Sequence, residues 1–239
     1  VEMVHMATLV HDDVLDEAAE RRRRPTIASI AGNTAAVLLG DHLISHAFHL
    51  CSGLQSQYAS RRIGATTNTV CEGELLQNHH RGDLELTEDI YFEIIRRKTG
   101  ALTAVSAELG GKLAGAGDGL VRSLYAYGMS AGVAFQIIDD VLDIVGDESR
   151  VGKTLGLDLT GGNLTLPVIH GLGHADRSTA AALRDLFGCA RPGGSEQLRA
   201  LLAQTQSIAY AVETARRSVE DAVSQLDLVP HSDAKQSLV

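Results

Sequence analysis

Two acidic stretches of nearly identical sequence, His11-Asp12-Asp13-Val14-Leu15-Asp16 and Ile138-Asp139-Asp140-Val141-Leu142-Asp143, decide the fold of this chain. Four residues advance an α-helix by about 400°, so the first and last aspartates of each stretch share one helix face. Apolar residues precede both stretches. Carboxylates within an apolar helix repel one another and lose hydration unless cations compensate them. The repetition therefore predicts two helices that face each other across a cavity.

Magnesium is the cation that this arrangement favours. Mg²⁺ takes oxygen ligands and is usually held by one or two carboxylates together with substrate phosphates. A solvated acidic helix face explains a single such stretch equally well, but it does not account for two copies within apolar sequence. The predicted metal residues are Asp12, Asp13, Asp16, Asp139, Asp140 and Asp143.

Composition favours helices and argues against several classes of protein. The chain has 239 residues, of which 44% are hydrophobic and only 4% aromatic, so residues typical of strands are scarce. A formal net charge of −9 argues against a general nucleic-acid binder. Three cysteines without CxxC spacing fit a reducing, cytoplasmic setting. The sequence contains no apolar run long enough for a membrane span.

Apolar residues at helical spacing predict an all-α fold with a single domain over residues 1–239. We expect a helical bundle around a central cavity, with Thr87 capping one helix and a glycine-rich loop at 146–162. The predicted helices are 1–16, 34–52, 58–79, 88–113, 120–145, 163–171, 177–187, 195–203 and 207–228.

Several cations lie near the acidic stretches in sequence. Arg21-Arg22 follows Asp16 closely, so a short loop can carry guanidinium groups back over the metal site, where they suit phosphate recognition. A solvated basic loop is the alternative. Lys98 and Lys153 taken alone are more typical of surface lysines. The helical histidines His42, His46 and His49 have no acidic partner at a familiar metal spacing, and we interpret them as solvated.

These motifs together resemble the trans-isoprenyl diphosphate synthases, or polyprenyl synthetases, from His5 to about Leu172. The two aspartate-rich stretches resemble that family's paired DDxxD motifs, and Lys98-Thr99 resembles its KT. Residues 128–143 are similar to its GxxxGxAFQxxDDxxD, Gly152-Lys153 and Asp158 to its GK and following aspartate, and residues 72–77 to the EGExxQ of medium- and long-chain members.

The resemblance implies an enzyme that condenses isopentenyl diphosphate with an allylic diphosphate such as farnesyl or geranylgeranyl diphosphate. It implies three Mg²⁺ ions per active site and a homodimer with peripheral membrane contact on product release. Arg21, Lys98 and Lys153 would bind the allylic diphosphate, and Arg22 the isopentenyl diphosphate. Thr99 and Gln136 would stabilise the allylic carbocation.

The resemblance also bears on product length. Short-chain members carry aromatic residues four or five positions before the first motif, where this chain has Thr8 and Ala7, with Val4 a turn deeper. We therefore expect an open channel and a hexaprenyl-to-decaprenyl product. The open alternatives are a C15–C20 synthase, a non-catalytic subunit of a heteromeric synthase, and a class I terpene cyclase. The family's upstream GGKRxRP motif does not occur here, so we expect that an N-terminal segment is missing, and Arg23 stands where a glycine is usual.

Overall fold

The computed structural model describes residues 1–54, 56–146, 156–187 and 194–239. Helices dominate these residues and confirm the predicted all-α fold. Two strands of two residues, β1 (Glu20–Arg21) and β2 (Arg24–Pro25), pair antiparallel. In chain order the helical elements are α1 (Glu2–Leu15), α2 (Ile27–Ala31), α3 (Asn33–Ser52), α4 (Gln57–His79), α5 (Glu88–Ile95), a π-helical turn (Arg96–Gly100), α6 (Ala101–Leu113), α7 (Asp118–Val145), α8 (Leu157–Gly161), α9 (Leu166–His174), α10 (Arg177–Leu186), α11 (Gly194–Gln204), α12 (Ser207–Ser224), a 3₁₀ turn (Gln225–Leu228) and α13 (Asp233–Gln236).

Local capping starts several of these helices where the sequence predicts it. The Thr87 hydroxyl accepts a hydrogen bond from the backbone N–H of Ile90, and the Asp176 carboxylate accepts one from Thr179. Each side chain satisfies a donor that the first helical turn leaves without a partner. None of the described helices is both long enough and apolar enough to cross a bilayer.

The structure departs from the predicted elements in two loops and in two helices. Within the predicted loop 146–162, residues 157–161 form the short helix α8, and the arginine-rich segment is a tight hairpin that α2 follows. The helix predicted at 88–113 contains the π-helical turn, and the helix predicted at 163–171 begins and ends three residues later. Helix α8 depends on hydrogen bonds from its start to Asp143, which lies outside the local sequence pattern.

Close contact between α6 and α7 aligns the helix that carries the second acidic stretch. A Cβ atom on Gly128 would lie 2.5 Å from the Thr103 carbonyl oxygen and 2.7 Å from Ala104 Cα. The Thr103 hydroxyl donates across the same contact to the Gly128 carbonyl at 2.8 Å. Because a side chain at Gly128 would force the two backbones apart, this glycine sets the distance between α6 and α7.

Two apolar clusters support the two acidic helices. The larger cluster packs α7 against α5, α9, α10, α11 and α12, with Ile137, Leu166, Leu183 and Leu202 completely buried. The smaller cluster packs α1 against α3, α4 and α6 and comprises Val4, Ala47, Ala59, Ile63, Val105 and Leu109. Each acidic helix is therefore held by its own set of apolar contacts.

A buried carboxylate fastens α6 to α4 beside the smaller cluster. Glu108 is 6% exposed and accepts a hydrogen bond from Arg62 Nε at 2.8 Å and another from the Tyr58 hydroxyl. Burial raises the pKa of Glu108, but the hydrogen bonds from Arg62 and Tyr58 lower it more, so the carboxylate stays ionised. Glu108, Arg62 and Tyr58 thus form a polar contact between α6 and α4, which we call the Glu108 clamp, beside apolar contacts of the smaller cluster.

Replacing this carboxylate is expected to destabilise the fold. The substitution Glu108→Ala leaves Arg62 and Tyr58 without their acceptor, which costs about 1–3 kcal/mol of unfolding free energy. Urea unfolding followed by circular dichroism measures the loss. The control is Glu220→Ala, which removes an exposed pairing with Arg216 and is expected to cost less than about 0.5 kcal/mol. Equal losses in the two variants would contradict the clamp.

Candidate active site

The π-helical turn brings Lys98 and Thr99 to the centre of the site. Helix α4 approaches it closely, since a Cβ atom on Gly73 would lie 2.6 Å from the Lys98 backbone nitrogen and 2.8 Å from Arg97 Cβ. A π-turn within an α-helix widens the backbone spiral locally and is frequent at functional sites. Here it directs two adjacent side chains toward different acidic stretches.

Lys98 is the cation of the first acidic stretch. Its Nζ pairs with Glu74 Oε2 at 2.7 Å and donates to Gln77 Oε1 at 2.8 Å. Burial lowers the pKa of Lys98, but the charges of Asp12, Glu74 and Asp16 raise it more, so its pKa lies above the ordinary value. The ammonium group is therefore a fixed positive charge facing α1.

Asp12 and Asp16 project from the last turn of α1 toward this charge. Burial raises the pKa of Asp12 to about 6, although Lys98 and Arg21 oppose the shift. Burial also raises the pKa of Asp16, where Lys98, Arg81 and Arg21 oppose it and Glu74 adds to it. The positive groups of the protein thus compensate these carboxylates only in part, so that an additional cation would stabilise their ionised form.

The hairpin β1–β2 folds the arginine loop back over α1. Arg21 Nε donates to Asp13 Oδ1 at 2.7 Å, and Asp13 is 6% exposed. The turn residues Arg22 and Arg23 have φ angles of 52° and 61°, in the left-handed region. This backbone conformation costs a non-glycine residue about 1–2 kcal/mol, so the hairpin turn is a strained part of the site.

Asp140 of the second acidic stretch lies in a chain of hydrogen bonds. Its Oδ2 accepts from the Tyr91 hydroxyl at 2.6 Å and its Oδ1 from Gln136 Nε2 at 2.8 Å, while Gln136 Oε1 accepts from the Thr99 hydroxyl at 2.8 Å. Burial raises the pKa of Asp140 to about 7, and the charges of Asp139 and Asp143 add to the shift, while Tyr91 and Gln136 oppose it. Thr99 is therefore linked to the second stretch by hydrogen bonds through Gln136, whereas Lys98 is linked to the first stretch by its charge.

Asp143 caps the short helix that follows the second stretch. Its Oδ1 accepts from the backbone N–H of Gly156 at 3.1 Å and its Oδ2 from that of Asp158 at 3.2 Å. Gly156 has a φ of 75°, and this left-handed conformation turns the chain back toward α7. Asp143 therefore orders α8 and places Asp158 beside the second stretch.

The donor set fits magnesium bound jointly by protein and diphosphate. Within the described ranges, no three acidic, histidine or cysteine side chains converge closely enough to hold a metal ion by themselves. Mg²⁺ commonly takes one or two carboxylates and completes its octahedron with phosphate oxygens and water. Asp12 and Asp16, one turn apart with raised pKa values, match that requirement. The stacked rings of His42, His46 and His49 are exposed and belong to no such group.

The predicted site residues do not all meet at one point. Lys98 and Thr99 of the π-turn are linked to Asp12, Asp16 and, through Gln136, Asp140. Arg21 and Arg22 lie in the hairpin above α1, where Arg21 contacts Asp13, and Asp143 caps α8. Lys153 lies outside the described residues. Val4 and Ala7 are completely buried, whereas Thr8 is half-buried. The side of α1 that carries Val4 and Ala7 is thus packed rather than open, and the role of these three residues in chain length stays a prediction.

The sequence analysis missed several partners of the predicted residues. Tyr91 is the most important, and its position seven residues before Lys98, two turns earlier on the same face, was a usable signal. Glu74 and Gln77 belong to a quoted motif, but their pairing with Lys98 was not predicted. Arg81, at the end of α4, acts on Asp16 through its charge and had no sequence signal.

Neutralising Asp12 is expected to stabilise the metal-free protein at high pH. Because the pKa of Asp12 in the folded state lies above that of the unfolded chain, ionisation costs folding free energy as the pH rises from about 4 to 6, and the full cost remains at pH 8. Asp12→Asn should therefore gain about 1–3 kcal/mol at pH 8 and almost nothing at pH 4. Chemical denaturation with EDTA at both pH values measures the difference.

The matched control is Asp227→Asn, which changes an exposed carboxylate in the 3₁₀ turn and should leave stability unaltered at both pH values. In addition, Asp12→Asn should lose the rise in melting temperature that Mg²⁺ with inorganic pyrophosphate gives the parent protein. A loss of stability of Asp12→Asn at pH 8 would show instead that Lys98 fully compensates Asp12.

Comparison with known proteins places the chain in a family. A family model described as "Polyprenyl synthetase" matches residues 1–205. An octaprenyl diphosphate synthase of Haemophilus influenzae is 35% identical over 243 residues, which cover 100% of this chain and 73% of the relative.

Two solved structures are also similar. One is a polyprenyl synthase from Caulobacter crescentus complexed with calcium and isoprenyl diphosphate, with a TM-score of 0.95, 30% identity, and coverage of 99% of this chain and 73% of that one. The other is a geranylgeranyl pyrophosphate synthetase from Pyrococcus horikoshii, with a TM-score of 0.91, 33% identity, and coverage of 99% and 74%. On the match to residues 1–205 and the identity to these relatives, the chain belongs to the polyprenyl synthetase family.

Proposed function

We propose that this protein is a trans-prenyltransferase that condenses isopentenyl diphosphate with an allylic diphosphate to give a medium- or long-chain all-trans polyprenyl diphosphate. The observation that carries the proposal is the π-turn, where adjacent residues Lys98 and Thr99 connect to the first and second acidic stretches, respectively. A site with carboxylates on two sides and cations between them suits a diphosphate bridged by divalent metal ions.

The allylic diphosphate would be bound through metal ions held by the carboxylates and by nearby positively charged side chains. Asp12, Asp16 and Asp139 would hold three Mg²⁺ ions, with Asp13, Asp140 and Asp143 ordering their surroundings. Lys98 and Arg21 would contact the diphosphate directly, and Lys153 is proposed from sequence alone. When bound, Mg²⁺ supplies Lewis-acid stabilisation of the negative charge on the leaving diphosphate. The calcium and isoprenyl diphosphate named for the Caulobacter crescentus structure support this assignment.

The reaction follows from the charges around this site. The allylic C–O bond breaks and its electron pair leaves with diphosphate, while Lys98 and Arg21 stabilise the departing charge. The oxygen lone pairs of Thr99 and Gln136 stabilise the allylic carbocation. The double bond of isopentenyl diphosphate, which Arg22 anchors, attacks this cation to form the new C–C bond, and the released diphosphate accepts the proton that restores a double bond.

A long product is favoured by the small side chains before the first stretch and by the octaprenyl product named for the H. influenzae relative. Val4 and Ala7 are buried against neighbouring helices, so a growing chain would pass Thr8 or displace the contacts of the smaller cluster. A C15–C20 product is the second candidate, which the geranylgeranyl product named for the P. horikoshii structure supports.

We further propose one domain over residues 1–239, a cytoplasmic location, and a homodimer that touches a membrane peripherally on product release. The cysteine pattern and composition support the location. The exposed apolar residues Val37 and Leu38 on α3 support the homodimer, because association would remove them from water.

The proposed activity predicts a metal-dependent product ladder. Farnesyl diphosphate and labelled isopentenyl diphosphate are incubated with the full-length protein, with Mg²⁺ or with EDTA, and the dephosphorylated lipids are separated by length. We expect a series ending at C30 or longer with Mg²⁺ and no incorporation with EDTA. A series that stops at C15 or C20 would overturn the predicted length. No incorporation with Mg²⁺ would overturn the enzyme and favour the non-catalytic subunit.

The predicted position of the growing chain gives a separate test. The substitution Thr8→Phe places a bulky ring on the half-buried face of α1, four residues before Asp12, and is expected to shorten the main product by two or more isoprene units. Total isopentenyl incorporation per primer falls accordingly, while primer consumption continues. Thr69→Phe, at a partly exposed position in the middle of α4, is the control and should leave the product length unchanged. An unaltered length in Thr8→Phe would place the channel elsewhere.

A further inference from the structure

We propose that Tyr91 is a positioning residue of the active site, which holds Gln136 and Thr99 in a single orientation through Asp140. The inference rests on the proposed function, because it assigns to Tyr91 a part in stabilising the carbocation. Tyr91 itself does not contact the substrates in this proposal, and it acts through three hydrogen bonds.

The direction of each hydrogen bond follows from the chemistry of the groups. Tyr91 donates its hydroxyl proton to Asp140 Oδ2 at 2.6 Å, and Gln136 donates an amide proton to Asp140 Oδ1 at 2.8 Å. Since a carboxylate accepts hydrogen bonds and an amide nitrogen donates them, Gln136 must turn its nitrogen to Asp140 and its oxygen to Thr99. The Thr99 hydroxyl then donates to that oxygen at 2.8 Å, which leaves the Thr99 oxygen lone pairs for a cation.

Burial makes the phenol difficult to replace. Tyr91 is 3% exposed and Asp140 is 5% exposed, so water has little access to either carboxylate oxygen. The ring packs within the larger apolar cluster, beside Ile95 and Ile137. A rigid donor in a buried position holds an acceptor far better than a mobile one, because little conformational freedom remains to be lost.

Loss of the phenol oxygen would therefore free one side of Asp140 and allow the Gln136 amide to reorient. In the reversed orientation the amide nitrogen faces Thr99, the Thr99 hydroxyl loses its acceptor, and the local dipoles no longer favour a carbocation. The binding of diphosphate and metal depends on other residues, so the loss should appear in the chemical step.

The experiment compares Tyr91→Phe with Tyr210→Phe. The control also removes a tyrosine-to-carboxylate hydrogen bond, from the Tyr210 hydroxyl to Glu88 at 2.8 Å, but this pair lies on α12 and α5, away from the chain that joins Asp140 to Thr99. For Tyr91→Phe we expect kcat for isopentenyl incorporation to fall about tenfold, with KM for both diphosphates and the half-saturating Mg²⁺ concentration within twofold of the parent. Tyr210→Phe should retain the parent kcat.

A double-mutant cycle separates positioning from a general structural effect. If Tyr91 acts through Asp140 and Gln136 on Thr99, the kcat losses of Tyr91→Phe and Thr99→Val should be clearly less than multiplicative in the double variant. Multiplicative losses, or an unchanged kcat in Tyr91→Phe, would overturn the proposal. A rise in both KM values together with the Mg²⁺ requirement would equally overturn it, because that result indicates a distorted binding site.

A measurement that does not require catalytic turnover can test the positioning by Tyr91 separately from the proposed function. Exchange of the Gln136 side-chain amide protons, followed by ¹⁵N NMR and assigned with Gln136→Glu, should be slow in the parent and in Tyr210→Phe and faster in Tyr91→Phe. If the parent forms no product yet shows this pattern, the proposed function fails and the positioning stands. Equal exchange rates in the parent and Tyr91→Phe would refute the positioning whatever the activity.

Discussion

Compensation of buried carboxylates is the constraint on which the arrangement of this active site depends. Each acidic stretch concentrates three negative charges within an apolar environment, where an uncompensated charge is costly. Three of the six aspartates are satisfied by the protein, but by different means. Asp13 accepts from a guanidinium, Asp140 from a phenol and an amide, and Asp143 from two backbone N–H groups. Hydrogen bonds do not cancel the cost of burial, since the pKa of Asp140 is raised to about 7, and Asp12 and Asp16 also keep raised pKa values in spite of Lys98.

The different contacts of the aspartates connect stability to function. Asp13, Asp140 and Asp143 hold the hairpin, the π-turn and helix α8 in place around the site through their hydrogen bonds. Asp12 and Asp16 keep an electrostatic cost of burial, because Lys98 and Arg21 offset it only in part. Under the proposed function, a metal–diphosphate complex would relieve this cost on binding and so stabilise the fold.

The site also depends on close backbone contacts that leave little room for variation. Gly73 allows α4 to touch the π-turn, and Gly128 allows α7 to touch α6. These contacts fix the distance between the helices that carry Lys98, Thr99 and the second stretch. The left-handed backbone of Arg22 and Arg23 adds conformational strain. The strain arises because the hairpin reverses within these two residues to bring Arg21 over α1.

Fold class and most helix positions could be predicted from sequence, because amphipathic spacing is a local, repeated pattern, whereas the roles of the predicted site residues stay predictions. The helix from 88 to 113 was predicted as continuous and regular, and the π-turn within it was not foreseen, because its widening depends on packing against Gly73. The open channel beside Ala7 was inferred from side-chain size alone, yet burial depends on what the facing helices place there. Helix α8 depends on Asp143, which lies thirteen residues earlier than Gly156, beyond any local pattern.

The sequence by itself thus determined which residues carry charge and which helix faces they share, since these follow from composition and a period of 3.6 residues. Only the tertiary structure decided which partner each aspartate meets. It also revealed the hydrogen bond from Tyr91 to Asp140, two residues that are far apart in the sequence. The physical reason is that desolvation and hydrogen-bond pairing depend on what surrounds a group in space, and for Asp140 one partner, Tyr91, lies forty-nine residues away in the sequence.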